Sequence, residues 1–275
     1  MIGLVVLFNP ELDFINNINT YLKDLDQLLI FDNSPDSNIK YIPNSEKILY
    51  RHYPENRGLS ISYNQAIVYA LNKKYKFLLL MDQDSSFYNN DFHVMKRQIL
   101  DDKKTSNIFL FSPMHSNHET LLLNKFPFFS LVTMNSGSVI NLELINKIGK
   151  YDEKLFVDCV DTEFCLRAAS LGFKIKRYYN IVINHHCGDV NKIMGVTLTN
   201  HTALRRYYIV KNRFYVWSKF PEFKDFILYE KKSTLKDLVK IIFFEKDKFN
   251  KIKMMITGYF HYLNNKFERN ETQNF

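Results

Sequence analysis

The chain alternates short apolar runs with segments of helical spacing. Residues 3–8 (GLVVLF) are apolar and partly β-branched and stop at Asn9-Pro10; residues 12–25 then carry Leu12, Ile15, Ile18 and Leu22 at helical intervals. Residues 28–31 are again apolar and end at Asp32-Asn33-Ser34-Pro35, a run of turn formers. Residues 48–52 predict a strand, 54–58 a loop and 59–72 a helix, and residues 77–81 (FLLLM) predict a further strand that breaks off at Asp82-Gln83-Asp84. This β-α-β-α-β order predicts a mostly parallel sheet covered by helices. The second half is less regular: a Ser136-Gly137-Ser138 turn, helical stretches over 142–148 and 158–171, a strand over 174–183, and then His185-His186-Cys187-Gly188-Asp189. Residues 204–220 and 235–244 have helical apolar spacing, and Phe249, Ile252, Ile256, Tyr259 or Phe260, Leu263 and Phe267 form one further stripe. No internal repeat is present.

In parallel sheets, ligands sit beyond the carboxyl ends of the strands. Asn9-Pro10, Asp32-Asn33-Ser34 and Asp82-Gln83-Asp84 all fall at that edge. The first two are explained equally well as solvated turns. The third differs, because two acids directly after an apolar strand place negative charge at the rim of a buried sheet, which is costly unless neutralised.

Composition narrows the class. At 275 residues and 32.8 kDa, with 46% hydrophobic and 24% charged residues, the chain is long enough for a substantial core. An aromatic content of 15% with only 8 Gly and 7 Pro excludes disorder and collagen. No apolar run approaches the roughly 20 residues of a spanning helix. The opening MIGLVVLFNP lacks a basic n-region, so no cleaved secretion signal is expected. Cys159, Cys165 and Cys187 are too few and too irregular for a disulfide framework or zinc cluster, and are read as reduced and cytosolic. The net charge of +8 is lopsided: residues 1–200 hold 21 basic and 21 acidic residues, whereas 201–275 hold 16 and 8. A basic tail on a neutral body predicts an anionic partner for the tail, a membrane surface or nucleic acid.

Three groups carry candidate chemistry. Asp82 and Asp84 flank Gln83, so their oxygens can converge on a hard divalent cation and a ribose, although acidic triplets also arise by chance. Asp158, Asp161 and Glu163 precede a helical stretch; they read as favourable charge at a helix start or, alternatively, present Asp161 as a general base. His185 and His186 follow a strand, and a ring there could complete a metal shell or simply pack.

Taken in order, Val5-Val6-Leu7-Phe8-Asn9-Pro10, Asp32-Asn33-Ser34, Glu55-Asn56-Arg57-Gly58, Asn64, Met81-Asp82-Gln83-Asp84-Ser85, Ser136-Gly137, the run from Phe156 to Arg167 (FVDCVDTEFCLR) and His185-His186-Cys187-Gly188-Asp189 resemble glycosyltransferase family 2. The LMDQDS and FVDCVDTEFCLR segments are most similar to bacterial rhamnosyltransferases. The resemblance implies an α/β GT-A fold, Rossmann-like with a mixed, mostly parallel sheet flanked by helices, here with a C-terminal helical extension. It implies a catalytic domain over 1–200 and a basic helical extension over 201–275. Asp32 would meet the pyrimidine of the donor; Asn9, Asn56, Arg57, Gly58, Gln83, Ser136, Gly137 and Arg206 would join it around the donor. Asp82 and Asp84 match the family's acid pair for ribose and metal, with Asp84 and His185 as ligands to Mg2+ or Mn2+. Asp161 matches the catalytic base. The Arg206-Tyr207-Tyr208 to Asn212 segment departs from the pattern at Lys211, where Arg is usual, and this weakens a bidentate phosphate contact there.

The implied reaction is inverting transfer from a nucleotide-diphosphate sugar, with rhamnose from dTDP-rhamnose as the donor expected and a UDP-sugar as the alternative. The acceptor would be a lipid-linked cell-surface glycan. The lysine-rich C-terminal helices are expected to pack on the body or to lie on the anionic inner face of the bacterial plasma membrane, a cytoplasmic, peripheral location. The aromatic segment 126–131 suggests an acceptor cleft or a homodimer contact. A nucleotidyltransferase would need a Gly-rich basic loop after the first strand, which FNPELDF lacks. A nucleic-acid-binding protein would leave the acid pairs of the neutral body unexplained.

Overall fold

The computed structural model describes residues 1–102, 105–115, 131–185, 191–193 and 196–267. Their contacts define two units, one of Met1–Asp152 with Phe164–His186 and the other of Glu153–Glu163 with Cys187–Phe275.

The first unit is built on strands whose side chains are buried on both faces. β1 (Ile2–Leu7) is followed by α1 (Phe14–Asn19), β2 (Gln27–Asp32), β3 (Ile48–His52), α2 (Gly58–Asn72) and β4 (Phe77–Asp82). After β5 (Ser85–Phe87) come α3 (Asp91–Asp101), β6 (Ile108–His115), β7 (Val139–Asn141), α4 (Ile145–Ile148), α5 (Val160–Ser170) and β8 (Lys174–His185). The strands form one eight-stranded sheet in the order β3-β2-β1-β4-β7-β6-β8-β5. Only β7 and β5 run against the rest. On one face Val5, Leu7, Ile30, Leu79 and Met81 join Phe14, Ile18 and Phe92 in a single core. The alternate residues Leu4, Leu29, Leu78 and Leu80 are equally buried, as strand periodicity requires of a two-sided sheet.

The expected strands over 3–8, 28–31, 48–52, 77–81 and 174–183 and the helix over 59–72 are present, within a residue or two at each end. The single helix expected over 12–25 is not: it reduces to α1 and a 3-10 turn at Leu22–Asp24. The Asn and Thr side chains there compete with the helix: Thr20 Oγ1 donates to the Asn17 carbonyl (2.7 Å) and Asn17 Nδ2 leaves for the Gln83 carbonyl (2.9 Å). β6 escaped the sequence reading because Pro113 argues against a central strand. It is tolerated because the β6–β8 register shifts between Pro113 and Met114.

In the second unit β9 (Asn191–Ile193) and β10 (Val196–Leu198) form an antiparallel pair, followed by α6 (Ala203–Lys219), α7 (Lys224–Phe244) and α8 (Lys248–Leu263). α6 is the buried centre, covering Tyr207, Tyr208, Val216 and Trp217. α8 reaches its backbone at Gly258, where an added Cβ would lie 2.5 Å from the Tyr207 carbonyl oxygen. Beside it Phe214 meets the ring of Tyr259 at 4.7 Å between centroids.

Candidate active site

The carboxyl ends of β2, β1 and β4 lie side by side, and the three polar turns that follow them are bonded to one another. Asn33 N donates to the Leu7 carbonyl (2.8 Å), and Asn9 N, in a left-handed conformation at φ 45, donates to Ser34 Oγ (2.8 Å). Gln83 closes the other side: Phe8 N donates to its Oε1 (2.8 Å) and its Nε2 donates back to the Phe8 carbonyl (3.2 Å). The middle residue of the acid triplet is thus the bracket that holds the first and third turns together.

Asp32 is fully buried. One carboxylate oxygen accepts from Ser34 N (3.0 Å); the other accepts from Asn38 N (2.9 Å), Asn38 Nδ2 (3.0 Å) and the Tyr50 hydroxyl. Burial pushes its pKa up, but the hydrogen bonds from Ser34, Tyr50 and Asn38 outweigh it and hold the carboxyl below the usual range. Asp32 therefore folds the 32–38 turn with its own oxygens. Asn33 Nδ2 reaches Ser62 Oγ at 3.3 Å, fixing the β2 turn to α2. At the start of α2, Asn56 Oδ1 accepts from the N–H of Gly58, which sits at φ 77, and the exposed Arg57 guanidinium lies 4.0 Å over the Tyr53 ring.

Asp82 ends β4 and Asp84 follows in a turn, both half-exposed. Ser136 Oγ accepts from Asp82 N (3.1 Å), and Gly137 N donates to the Leu80 carbonyl (2.8 Å). Gly137 is at φ 76, and a Cβ there would fall 2.7 Å from Ile183 and 2.8 Å from Pro113, so glycine is what lets this loop lie over β6 and β8. β5 pairs antiparallel with β8 so that Ser85, the residue after Asp84, stands opposite His185. The ring of His185 and all of residues 186–189 lie outside the described residues, as do residues 126–130. Among the described residues no three His, Cys, Asp or Glu side chains gather on one point. Two half-exposed carboxylates at a strand end fit a magnesium-type ion, which keeps waters and takes further oxygens from a diphosphate.

The second unit holds the other acids. Asp158 and Cys159 both have left-handed backbones, φ 57 and 61, immediately before α5. Such conformations cost about 1–3 kcal/mol each outside glycine and persist only when neighbours enforce them. Here Asn212, fully buried on α6, donates from Nδ2 to the carbonyls of Val157 (2.6 Å) and Asp158 (3.0 Å). Arg205 reaches Asp158 Oδ1 at 3.3 Å, while Asp158 Oδ2 has no hydrogen-bond partner among the described residues. The turn delivers Asp161 into the first turn of α5, where its Oδ1 accepts from Thr162 N (2.8 Å). Burial above all, then the nearby Asp158 charge, pushes the Asp161 carboxyl up to about 6 against that hydrogen bond. A pKa near the operating pH suits a general base. Glu163 is fully buried and paired with Lys219 at 2.8 Å, so it is a structural partner.

Arg206, which the resemblance places at the donor, is 2% exposed and engaged by Glu245 (2.8 Å) and Asp237 (3.6 Å) within the second unit. An arginine held by two carboxylates has its fork geometry committed to them. Lys211 is likewise buried, its Nζ above the rings of Tyr208 (4.8 Å) and Tyr207 (4.9 Å), and burial pushes its pKa down to about 8. The sequence reading missed Ser34, Asn38 and Tyr50 as the binders of Asp32, and Arg205 as the partner of Asp158. Ser34 was legible as part of the Asp32-Asn33-Ser34 turn, but for Asn38, Tyr50 and Arg205 the only sequence signal is their type, which surface residues share.

A family model described as "Glycosyl transferase family 2" matches residues 13–151. The chain is 30% identical over 237 residues to dTDP-rhamnosyl transferase RfbF of Shigella flexneri, covering 79% of each. Among solved structures it superposes on GalNAc-T7 with UDP, GalNAc and Mn2+ (TM-score 0.55, 12% identity, 79% of this chain and 47% of that one). It also superposes on S. aureus TarS (TM-score 0.52, 14% identity, 98% and 44%). The chain spans less than half the length of either structure, and these two likenesses speak to fold alone, a GT-A arrangement with a helical C-terminal region. From the family model and the RfbF likeness, read together with the strand-end acids, the chain belongs to glycosyltransferase family 2 and is a glycosyltransferase.

Proposed function

We propose that the protein is an inverting, divalent-cation-dependent rhamnosyltransferase that carries rhamnose from dTDP-rhamnose to a hydroxyl of a lipid-linked glycan, with residues 1–200 as catalytic domain and 201–275 as extension. The observation that carries this reading is the register of β5 on β8, which sets the His185 segment opposite the residue after the acid pair. Two motif segments a hundred residues apart in sequence meet at one strand end. The donor assignment is supported by the 30% likeness to a protein named as a dTDP-rhamnosyl transferase.

In this reading the bracketed turns at Asn9, Asp32–Asn38 and Asp82–Asp84 receive the nucleotide, with Asp32 acting through the turn it folds. Asp82 and Asp84, with His185, would hold a magnesium or manganese ion, whose chemistry there is to balance the charge of a departing diphosphate. The acceptor oxygen forms its bond to the anomeric carbon as the bond from that carbon to the diphosphate oxygen breaks, and the acceptor proton passes to Asp161. A general base in that role is worth about 10² to 10⁴ in rate.

The test offers the purified chain dTDP-rhamnose, UDP-galactose, UDP-glucose and UDP-N-acetylglucosamine, and measures nucleoside diphosphate release before and after chelation. We expect dTDP-rhamnose to lead by roughly tenfold or more, with activity lost on chelation and restored by Mg2+ or Mn2+. A UDP-sugar in the lead would overturn the donor, and turnover indifferent to chelation would overturn the metal requirement.

A further inference from the structure

α7 carries a stripe of large apolar residues on its outer side. Its acids Glu230 and Asp237 face inward, Glu230 to Arg213 (3.1 Å) and Asp237 to Arg206 and Arg213 (3.6 and 3.7 Å). Phe226 and Ile241 are buried on the inner side, but a second set of apolar residues faces outward: Leu228, Leu235, Val239, Ile242 and Phe243 recur at intervals of seven, four, three and one along one side, with Leu235 62% and Phe243 68% exposed. Lys232 lies within this stripe and Lys231 and Lys236 flank it, all exposed. α8 repeats the arrangement. Tyr259 packs on Phe214, and Phe267 beyond the helix packs on Tyr215, while Phe249 (92% exposed), Ile256, Phe260 and Leu263 stay outward with Lys253 among them. The stripe expected from sequence on this last helix is therefore only partly free, and the longer outward face belongs to α7.

A helix at home in water confines its large apolar residues to one buried stripe, whereas α7 has a second, exposed one. Ion pairing inside the unit consumes the negative charge of Glu230, Asp237 and Glu245, so the middle of the outward stripe is apolar with a lysine border, and the exposed Asp225 and Asp247 stand at or beyond its two ends. Among the described residues no helix is long and apolar enough to cross a membrane; an exposed apolar stripe edged by lysines is the pattern of a helix that lies in the plane of an anionic interface. We propose that the outward faces of α7 and α8 dock on an anionic lipid bilayer, the apolar stripes entering the headgroup boundary while the lysines meet lipid phosphates. A second copy of the chain fits less well, since its own basic C-terminal region, 16 basic against 8 acidic residues, would add positive charge beside the lysine border where anionic lipid neutralises it.

Vesicle co-sedimentation of the full chain tests this independently of the donor, because it needs no turnover. Binding is expected to phosphatidylcholine vesicles containing phosphatidylglycerol, weakened by salt, and to fall roughly tenfold or more in a Leu235→Glu, Val239→Glu, Phe243→Glu variant that keeps its unfolding midpoint. A Lys232→Gln, Lys236→Gln, Lys253→Gln variant is expected to lose the preference for anionic vesicles. The proposal is overturned if the wild-type chain stays in the supernatant, if either variant binds as the wild type does, or if light scattering shows a wild-type dimer that the glutamate variant dissolves.

Discussion

Asp161 shows how much local structure one carboxylate needs. Its position in the first turn of α5 follows a pair of left-handed residues that Asn212 clamps through two carbonyls, and burial beside Asp158 raises its pKa to about 6. The raised value has a cost in stability. From 3.8, where the unfolded chain releases this proton, to about 6, where the folded chain does, the folded state binds more protons, so this group's contribution to stability falls as pH rises across that window. Asp161→Asn is therefore expected to reduce turnover by about 10² to 10⁴ while raising the melting temperature at pH 8, with the stability difference vanishing at low pH. In the wild type, kcat/KM should decline as pH drops through about 6. A variant that retains near-normal transfer, or a profile flat across that range, would refute the base assignment.

At the scale of elements, the approach of α8 to α6 depends on Gly258, because a side chain there meets backbone and not a movable tip. Alanine would gain about 1 kcal/mol of helix propensity, whereas overpacking at such a contact costs about 1–3 kcal/mol, so packing decides the sign. Gly258→Ala should lower the urea midpoint, and a more stable variant would mean that the helices are not in this contact. Elements were legible in the sequence where the pattern is strong and local. β1, β2 and β4 were, being apolar runs cut off by turn formers, and the strand-end rim came with them. α1 was overestimated because Asn and Thr side chains redirect its hydrogen bonds, and β6 was overlooked because Pro113 is admitted by a bulge that only the partner strand creates.

Across the whole molecule, the charge imbalance of the last 75 residues resolves into two populations. Arg206, Arg213 and Lys251 are bound inward by Glu230, Asp237 and Glu245, while most lysines of α7 and α8 point outward. Glu245 is fully buried between Arg206 (2.8 Å) and Lys251 (2.9 Å). Glu245→Gln would leave two buried cations short of charge, and a loss of about 3–5 kcal/mol is expected for breaking such a pair, measured as a drop in unfolding free energy. No loss would indicate that water reaches these cations. By itself the sequence determined the parallel sheet, the acid pair at its rim and the family motifs, because strand periodicity, turn chemistry and short motifs are properties of neighbours in the chain. Only the tertiary structure decided that Asp32 closes on its own turn, that Arg206 serves an internal ion pair, that Asn212 holds the strained turn before Asp161, and that α7 leaves a stripe of apolar residues facing outward. Each of these depends on which side chain lies across a fold in the chain, and residue type alone does not carry that information.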